Sequence, residues 1–330
     1  MRTGDRPNAE SSVLTYRTEF PGHSLRSRLL DIAIRLTVKS TNFLWSLFPH
    51  LPWPYHLVDR LIPPLPVPSG LARSSISLPN CTAELTTPAG HDNGKIVVYL
   101  HGGAFLFGGR KLHRQMTGRF ADELHAQVLA VDYRKLPRAT VADALEDSVA
   151  GYRYALQQAG RPEDVVLMGD SAGGYLALMT AVEIRRRGMP VPAAIVVMAP
   201  LTDWDMTAKM AAPTARTCAV FPQRASTRLL AVAERAAGGQ ALESPAHCDL
   251  TGLPPTLVQV SDSELLYPDA VLIADRLREH GVPCELQVWH RQVHVFQAAA
   301  SIVPEAAAAV DRISEFLAGW ATAEPAQHSA

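Results

Sequence analysis

The residues of this chain that could do chemistry stand in two glycine-rich strings. Gly169-Asp170-Ser171-Ala172-Gly173 has the G-x-S-x-G spacing of a nucleophile elbow, which holds a serine hydroxyl at the apex of a sharp strand-to-helix turn. Small residues must flank such a turn, and Gly169 and Gly173 meet that need. His101-Gly102-Gly103-Ala104-Phe105 offers a run of backbone amides with little side chain in the way. Together they supply the parts for acyl transfer: a nucleophile, and donors for the oxyanion formed when it attacks a carbonyl. Gly102, Gly103, Ala104 and Ala172 are the candidate oxyanion-hole residues. Ala104 stands where an HGGG strip has its third glycine. Its amide survives, and its methyl group narrows the space beside it.

A serine hydroxyl needs a base, and the base needs an orienting acid. His290 and His294 lie close together near the C-terminus, after the alternating run 284–289. Asp262, Glu264 and Asp269 follow the β-prone run 257–260. Asp269 suits the first turn of a helix over 270–280, where a carboxylate complements the helix dipole. The residues alone leave His290 and His294, and Asp262 and Glu264, as alternatives.

The elements that must position these groups follow from periodicity. Strands are expected at 95–100, 127–132, 164–168, 193–198, 255–260 and 284–289, with a first strand or hairpin over 74–87. Helices are expected near 111–124, 142–158, 172–187, 268–280 and 304–320. This alternation implies an α/β fold with a mostly parallel central sheet and helices on both faces. Residues 25–48 have helical apolar spacing, 51–68 read as a linker with a short helix, and 1–24 read as irregular.

The two strings, with Asp132-Tyr133-Arg134-Lys135-Leu136-Pro137 between them, resemble the hormone-sensitive-lipase-like family of α/β-hydrolases over roughly 75–320. The family's middle segment reads DYRLAPE. Here Lys135 and Leu136 replace its Leu-Ala, and Arg138 replaces its glutamate. The resemblance implies an α/β-hydrolase fold with a helical cap and the chain order serine, acid, histidine. Its His-x-Phe ending falls on His294-Val295-Phe296, and its acid segment, aligned on Leu266 and Asp269, falls on Glu264. It therefore implies Ser171, Glu264 and His294 as the catalytic set, acting on small to medium acyl esters. Deacetylation, amide hydrolysis and non-catalytic ligand binding are the alternatives that the same fold accommodates.

Five segments are expected: 1–70, an N-terminal contribution to a cap; 71–204, the first part of the core; 205–243, a cap insertion; 244–322, the second part of the core; and 323–330, a flexible tail. The net charge of -1 gives no electrostatic reason to expect a nucleic-acid partner. The four cysteines are scattered, without metal or disulfide spacing, and neither a metal nor an organic cofactor is expected. The polar first residues lack signal-peptide character, so a cytoplasmic location is expected. Arg26, Arg28, Arg35 and Lys39 beside apolar residues permit peripheral membrane contact, but Asp31 and the lack of a clean polar face weigh against it. The expected partner is a small-molecule ester. Oligomeric state is not legible.

Overall fold

The runs Ile96–Leu100, Val165–Asp170, Ala194–Met198 and Thr256–Ser261 are buried along their whole length. Continuous apolar strands of this kind need cover on both faces, which parallel sheets flanked by helices provide. The computed structural model describes residues 16–51, 53–55, 67–91 and 93–322, and among them nine strands form one sheet. In chain order these are β1 (Arg17–Phe20), β2 (Leu71–Ser77), β3 (Thr82–Pro88), β4 (Ile96–Leu100), β5 (Gln127–Asp132), β6 (Val165–Asp170), β7 (Ala194–Met198), β8 (Thr256–Ser261) and β9 (Cys284–Trp289). Their order across the sheet is β1-β9-β8-β7-β6-β4-β5-β3-β2. Only the β2–β3 and β3–β5 pairings are antiparallel. The expected fold class is observed.

Two expectations change. The region 74–87 is a true hairpin that begins three residues earlier, at Leu71. The irregular reading of 1–24 is also wrong in part. Arg17–Phe20 pairs in parallel with β9 and extends the sheet, with the Phe20 and Trp289 rings stacked at 4.2 Å. Four residues with two charges give no periodic signal. Long-range pairing makes this strand, not local propensity.

Among the described residues the α-helices are α1 (Leu25–Ile34), α2 (Ser40–Leu47), α3 (Arg110–Leu124), α4 (Val141–Ala159), α5 (Ala172–Arg186), α6 (Thr207–Ala211), α7 (Thr214–Thr217), α8 (Gln223–Ala237), α9 (Tyr267–Glu279), α10 (Pro304–Phe316) and α11 (Ala318–Thr322). A π-helical turn, Arg35–Lys39, joins α1 to α2. The expected last helix over 304–320 is thus broken at Leu317. The short helix expected within 51–68 and the tail 323–330 fall largely or wholly outside the described residues.

Two apolar clusters fill the two faces of the sheet. One, around Val98, Leu167, Leu176 and Ile273, joins α4, α5 and α9 to the strands. The other, around Val97, Phe120, Val196 and Val310, joins α3 and α10. No described helix is long and apolar enough to cross a membrane.

Candidate active site

Strand β6 ends at Asp170 and α5 begins at Ala172, so Ser171 takes the whole reversal, with φ 53° and ψ -118°. A non-glycine residue holds such a backbone only where its surroundings over-determine it. The Ser171 amide donates to Met198 O at 2.8 Å, and its carbonyl accepts from Leu201 and Tyr175, each at 3.2 Å. A Cβ on Gly173 would collide with the Leu100 carbonyl. Only glycine lets α5 start against the end of β4.

His294 lies between Ser171 and Glu264. Its Nε2 is 2.9 Å from Ser171 Oγ, and its Nδ1 is in very close hydrogen-bond contact with Glu264 Oε2. The other oxygen of Glu264 accepts the Ser261 amide at 2.8 Å. Both side chains are almost fully buried, and the Phe221 ring packs edge-on to the imidazole at 5.1 Å. The loop carrying His294 is anchored by Gln292. Its carbonyl accepts from Ser261 Oγ at 2.7 Å, and its side-chain oxygen accepts from Ser27 Oγ at 2.7 Å.

Asp262 and His290 form a separate pair. His290 Nδ1 is 2.7 Å from Asp262 Oδ2, and Asp262 Oδ1 accepts the Arg291 amide at 2.7 Å. The four residues left open by the sequence therefore sort into two carboxylate–imidazole pairs, of which one reaches Ser171. Asp269 does stand in the first turn of α9, but its buried carboxylate is not merely a helix-dipole partner. It meets Lys209 Nζ at 2.8 Å and accepts the amides of Thr202 at 2.8 Å and Asp203 at 3.1 Å. Burial raises its pKa, partly offset by Lys209. This ion pair ties α6 to the core beside the serine, and nothing in the local sequence announced it.

The glycine strip is shaped by close packing. Gly103 has φ 119°, and a Cβ there would collide with the Phe107 carbonyl. Its own carbonyl accepts from the amides of Leu106 and Phe107. Among the described residues, the amides of Gly103, Ala104 and Ala172 have no hydrogen-bond acceptor. Gly102 stands apart from these three. Its amide donates to Asp170 Oδ1 at 3.0 Å, so that donor is already used, and Gly102 contributes close approach instead.

Asp170 was legible as a motif residue but not as an anchor. Its buried carboxylate also accepts from Tyr99 Oη at 2.5 Å and faces His113 Nε2 at 3.7 Å. Burial pushes this carboxyl up. The charge on His113 and the bonds from Tyr99 and Gly102 outweigh it and hold the pKa below the usual carboxylate range. Nearby, His101 stacks on Tyr133 at 4.4 Å, and its pKa is pushed well below the ordinary imidazole value, chiefly by burial and then by the charge of Lys135.

Ser171 opens on a space of about 30 Å³ lined by Ala104, Phe105, Leu201, Met206 and Phe221. An apolar cavity of about 550 Å³ shares Ala104, Phe221 and Leu229 with it and extends to Trp45 of α2 and to Trp53 and Tyr55. Among the described residues no group of three His, Cys, Asp or Glu side chains is arranged to hold a metal ion. The arrangement can deliver a serine oxygen to a carbonyl, accept its proton, and offer amides to the resulting oxyanion.

Residues 97–298 match the family model described as alpha/beta hydrolase fold. The chain is 40% identical over 293 residues to esterase LipU of Mycobacterium tuberculosis, covering 86% of this chain and 98% of that protein. It is 37% identical over 307 residues to the carboxylesterase/phospholipase LipF of the same organism, covering 90% and 82%. The solved structure of an esterase from the bacterial hormone-sensitive lipase family superposes with a TM-score of 0.78 at 30% identity, over 90% of this chain and 98% of that one.

Proposed function

This chain belongs to the hormone-sensitive-lipase-like family of α/β-hydrolases and is a carboxylesterase-type hydrolase, and we propose that Ser171, His294 and Glu264 carry out its chemistry on small to medium acyl esters. One observation carries this reading: His294 bridges Ser171 and Glu264, while Asp262 is engaged by His290.

The steps follow from the atoms. His294 Nε2 takes the Ser171 proton as Oγ attacks the acyl carbon. The amides of Gly103, Ala104 and Ala172 hold the oxyanion, and losing one such donor typically costs about 10²–10³ in rate. His294 then gives its proton to the leaving alkoxide. Water, deprotonated by the same nitrogen, attacks the acyl carbon, the bond to Ser171 Oγ breaks to release the acid, and His294 returns the proton to Oγ. Glu264 accepts from Nδ1–H, fixes the tautomer and stabilises the imidazolium. Helices α1, α2 and α6 to α8 act as the cap, and the cavity beneath them receives a dissolved ester rather than an oil surface.

Paired substitutions test the assignment. His294→Ala is expected to be as damaging to kcat as loss of the serine, because the two act as a unit. His290→Ala leaves most activity. Glu264→Gln is severe and Asp262→Asn mild. Reversal of the two acid variants would overturn the assignment of the acid.

A further inference from the structure

The apolar cavity beside Ser171 does not end in solvent of neutral character. Trp53, Pro54 and Tyr55 form a wall with a second cavity, of about 830 Å³, on its other side. That second cavity is lined by three arginines, Arg138, Arg228 and Arg235, and by no acidic side chain among the described residues. Arg228 and Arg235 lie seven residues apart on α8, two helical turns, and so project from the same face. Arg138 comes from the loop after β5, across the cavity from them.

Several other arginines of the fold are held by carboxylates. Arg134 is held by Asp147 and Asp143, Arg186 by Glu243, and Arg187 by Glu146 and Glu183. Among the described residues, Arg138, Arg228 and Arg235 have neither a hydrogen bond nor an ion pair from their guanidinium groups. A surface arginine without a partner is ordinary. Three lining one concavity, with the net charge of the whole chain at -1, concentrate positive potential where no described carboxylate pairs with it. Guanidinium forks match the oxygens of a phosphate in geometry as well as charge.

We propose that the substrate of this esterase carries a phosphate on the same molecule as the scissile ester, and that Arg138, Arg228 and Arg235 bind it in the outer cavity while the apolar part lies in the inner one. The inference rests on the hydrolase reading above. The phosphate takes no part in the bond changes. The acyl C–O bond breaks, water supplies the hydroxyl of the acid and the proton of the alcohol, and the phosphate leaves intact on the product that bears it.

The test compares two dissolved substrates below their aggregation concentrations, dibutyrylglycerol and dibutyrylglycerol phosphate. The wild-type protein is expected to show kcat/KM about tenfold higher for the phosphate-bearing ester, from three exposed charge contacts of modest individual strength. The ratio should fall towards one in about 1 M NaCl, where the Debye length is about 3 Å. It should fall likewise in the variant Arg138→Gln/Arg228→Gln/Arg235→Gln. A ratio near one in the wild type, or a ratio that survives the triple substitution, overturns the proposal. Acceleration of neutral dibutyrylglycerol by vesicles of an anionic non-substrate lipid, with no gain for the dissolved phosphate ester, also overturns it, because the arginines would then read a surface. Failure of the hydrolase reading would look different: neither ester would be turned over.

Discussion

Asp170→Asn tests whether the elbow and the glycine strip work as one unit. The substitution keeps the shape and one acceptor oxygen but removes the charge. Two hydrogen bonds are at stake, from Tyr99 Oη at 2.5 Å and the Gly102 amide at 3.0 Å, both buried, besides the His113 contact at 3.7 Å, whose loss adds to theirs. A bond to a charged group contributes about 1.5–3 kcal/mol and a neutral one about 0.5–1.5. Each bond therefore weakens by about 1 kcal/mol, and stability should fall by about 2 kcal/mol in denaturant unfolding. The Gly102 share matters for rate, because that bond fixes the strip from which Gly103 and Ala104 present their amides. A loss of about 1 kcal/mol carried into the transition state lowers kcat about fivefold. KM should barely move, since the weakened contact serves the oxyanion. Tyr99→Phe removes only the phenol bond. It should lower stability with little effect on kcat, and the double variant should lose less stability than the two single losses together. If Asp170→Asn loses stability while kcat stays within about twofold of wild type, the carboxylate supports the core and does not position the strip.

Two further predictions follow from the cavities and from His101. Turnover of dissolved esters should rise with acyl length, at about 0.8 kcal/mol per buried methylene, then drop once the chain outgrows its space, at roughly eight carbons. Leu229→Ala, which enlarges the wall shared by both spaces, should move that limit to longer chains, and an unmoved limit places the acyl group elsewhere. His101 is held neutral by burial, with its folded pKa below the ordinary 6.5. The unfolded chain then binds a proton that the folded chain does not, so stability should be fully present above about pH 6.5 and decline as pH falls below it. His101→Phe keeps the ring stacked on Tyr133 and should flatten that decline in denaturant unfolding between about pH 7 and pH 5. Asp269, whose folded pKa is raised, contributes with the opposite sign in both proteins and so cancels from the comparison. An equal decline in the two proteins would refute the role given to His101.

What the sequence made legible was local. The fully buried strands are built on apolar runs, and the elbow requires small residues at fixed offsets, so the sheet and Ser171 could be read from the chain directly. The choice of Glu264 over Asp262 came from alignment on Leu266 and Asp269, because two acids two residues apart in one loop look equivalent in sequence. The fold separates them by giving Asp262 to His290. The parts that stayed hidden depend on long separations. Asp170 finds Tyr99 and Gly102 across 71 and 68 residues, and Lys209, in the connection between β7 and β8, meets Asp269 of α9, beyond β8. The strand Arg17–Phe20 exists only because β9 offers it an edge. Arg138 could be seen to depart from a pattern, but its convergence with Arg228 and Arg235 needed the fold.

Ser171, as the proposed nucleophile, should be open to covalent trapping. The protein is treated with a fluorophosphonate, digested, and the adduct located by mass spectrometry, alongside turnover of a short ester by Ser171→Ala. One adduct is expected, on Ser171, with no measurable turnover by the folded variant. An adduct on Ser261 or Ser263, or ester hydrolysis that survives the loss of Ser171, would contradict that role.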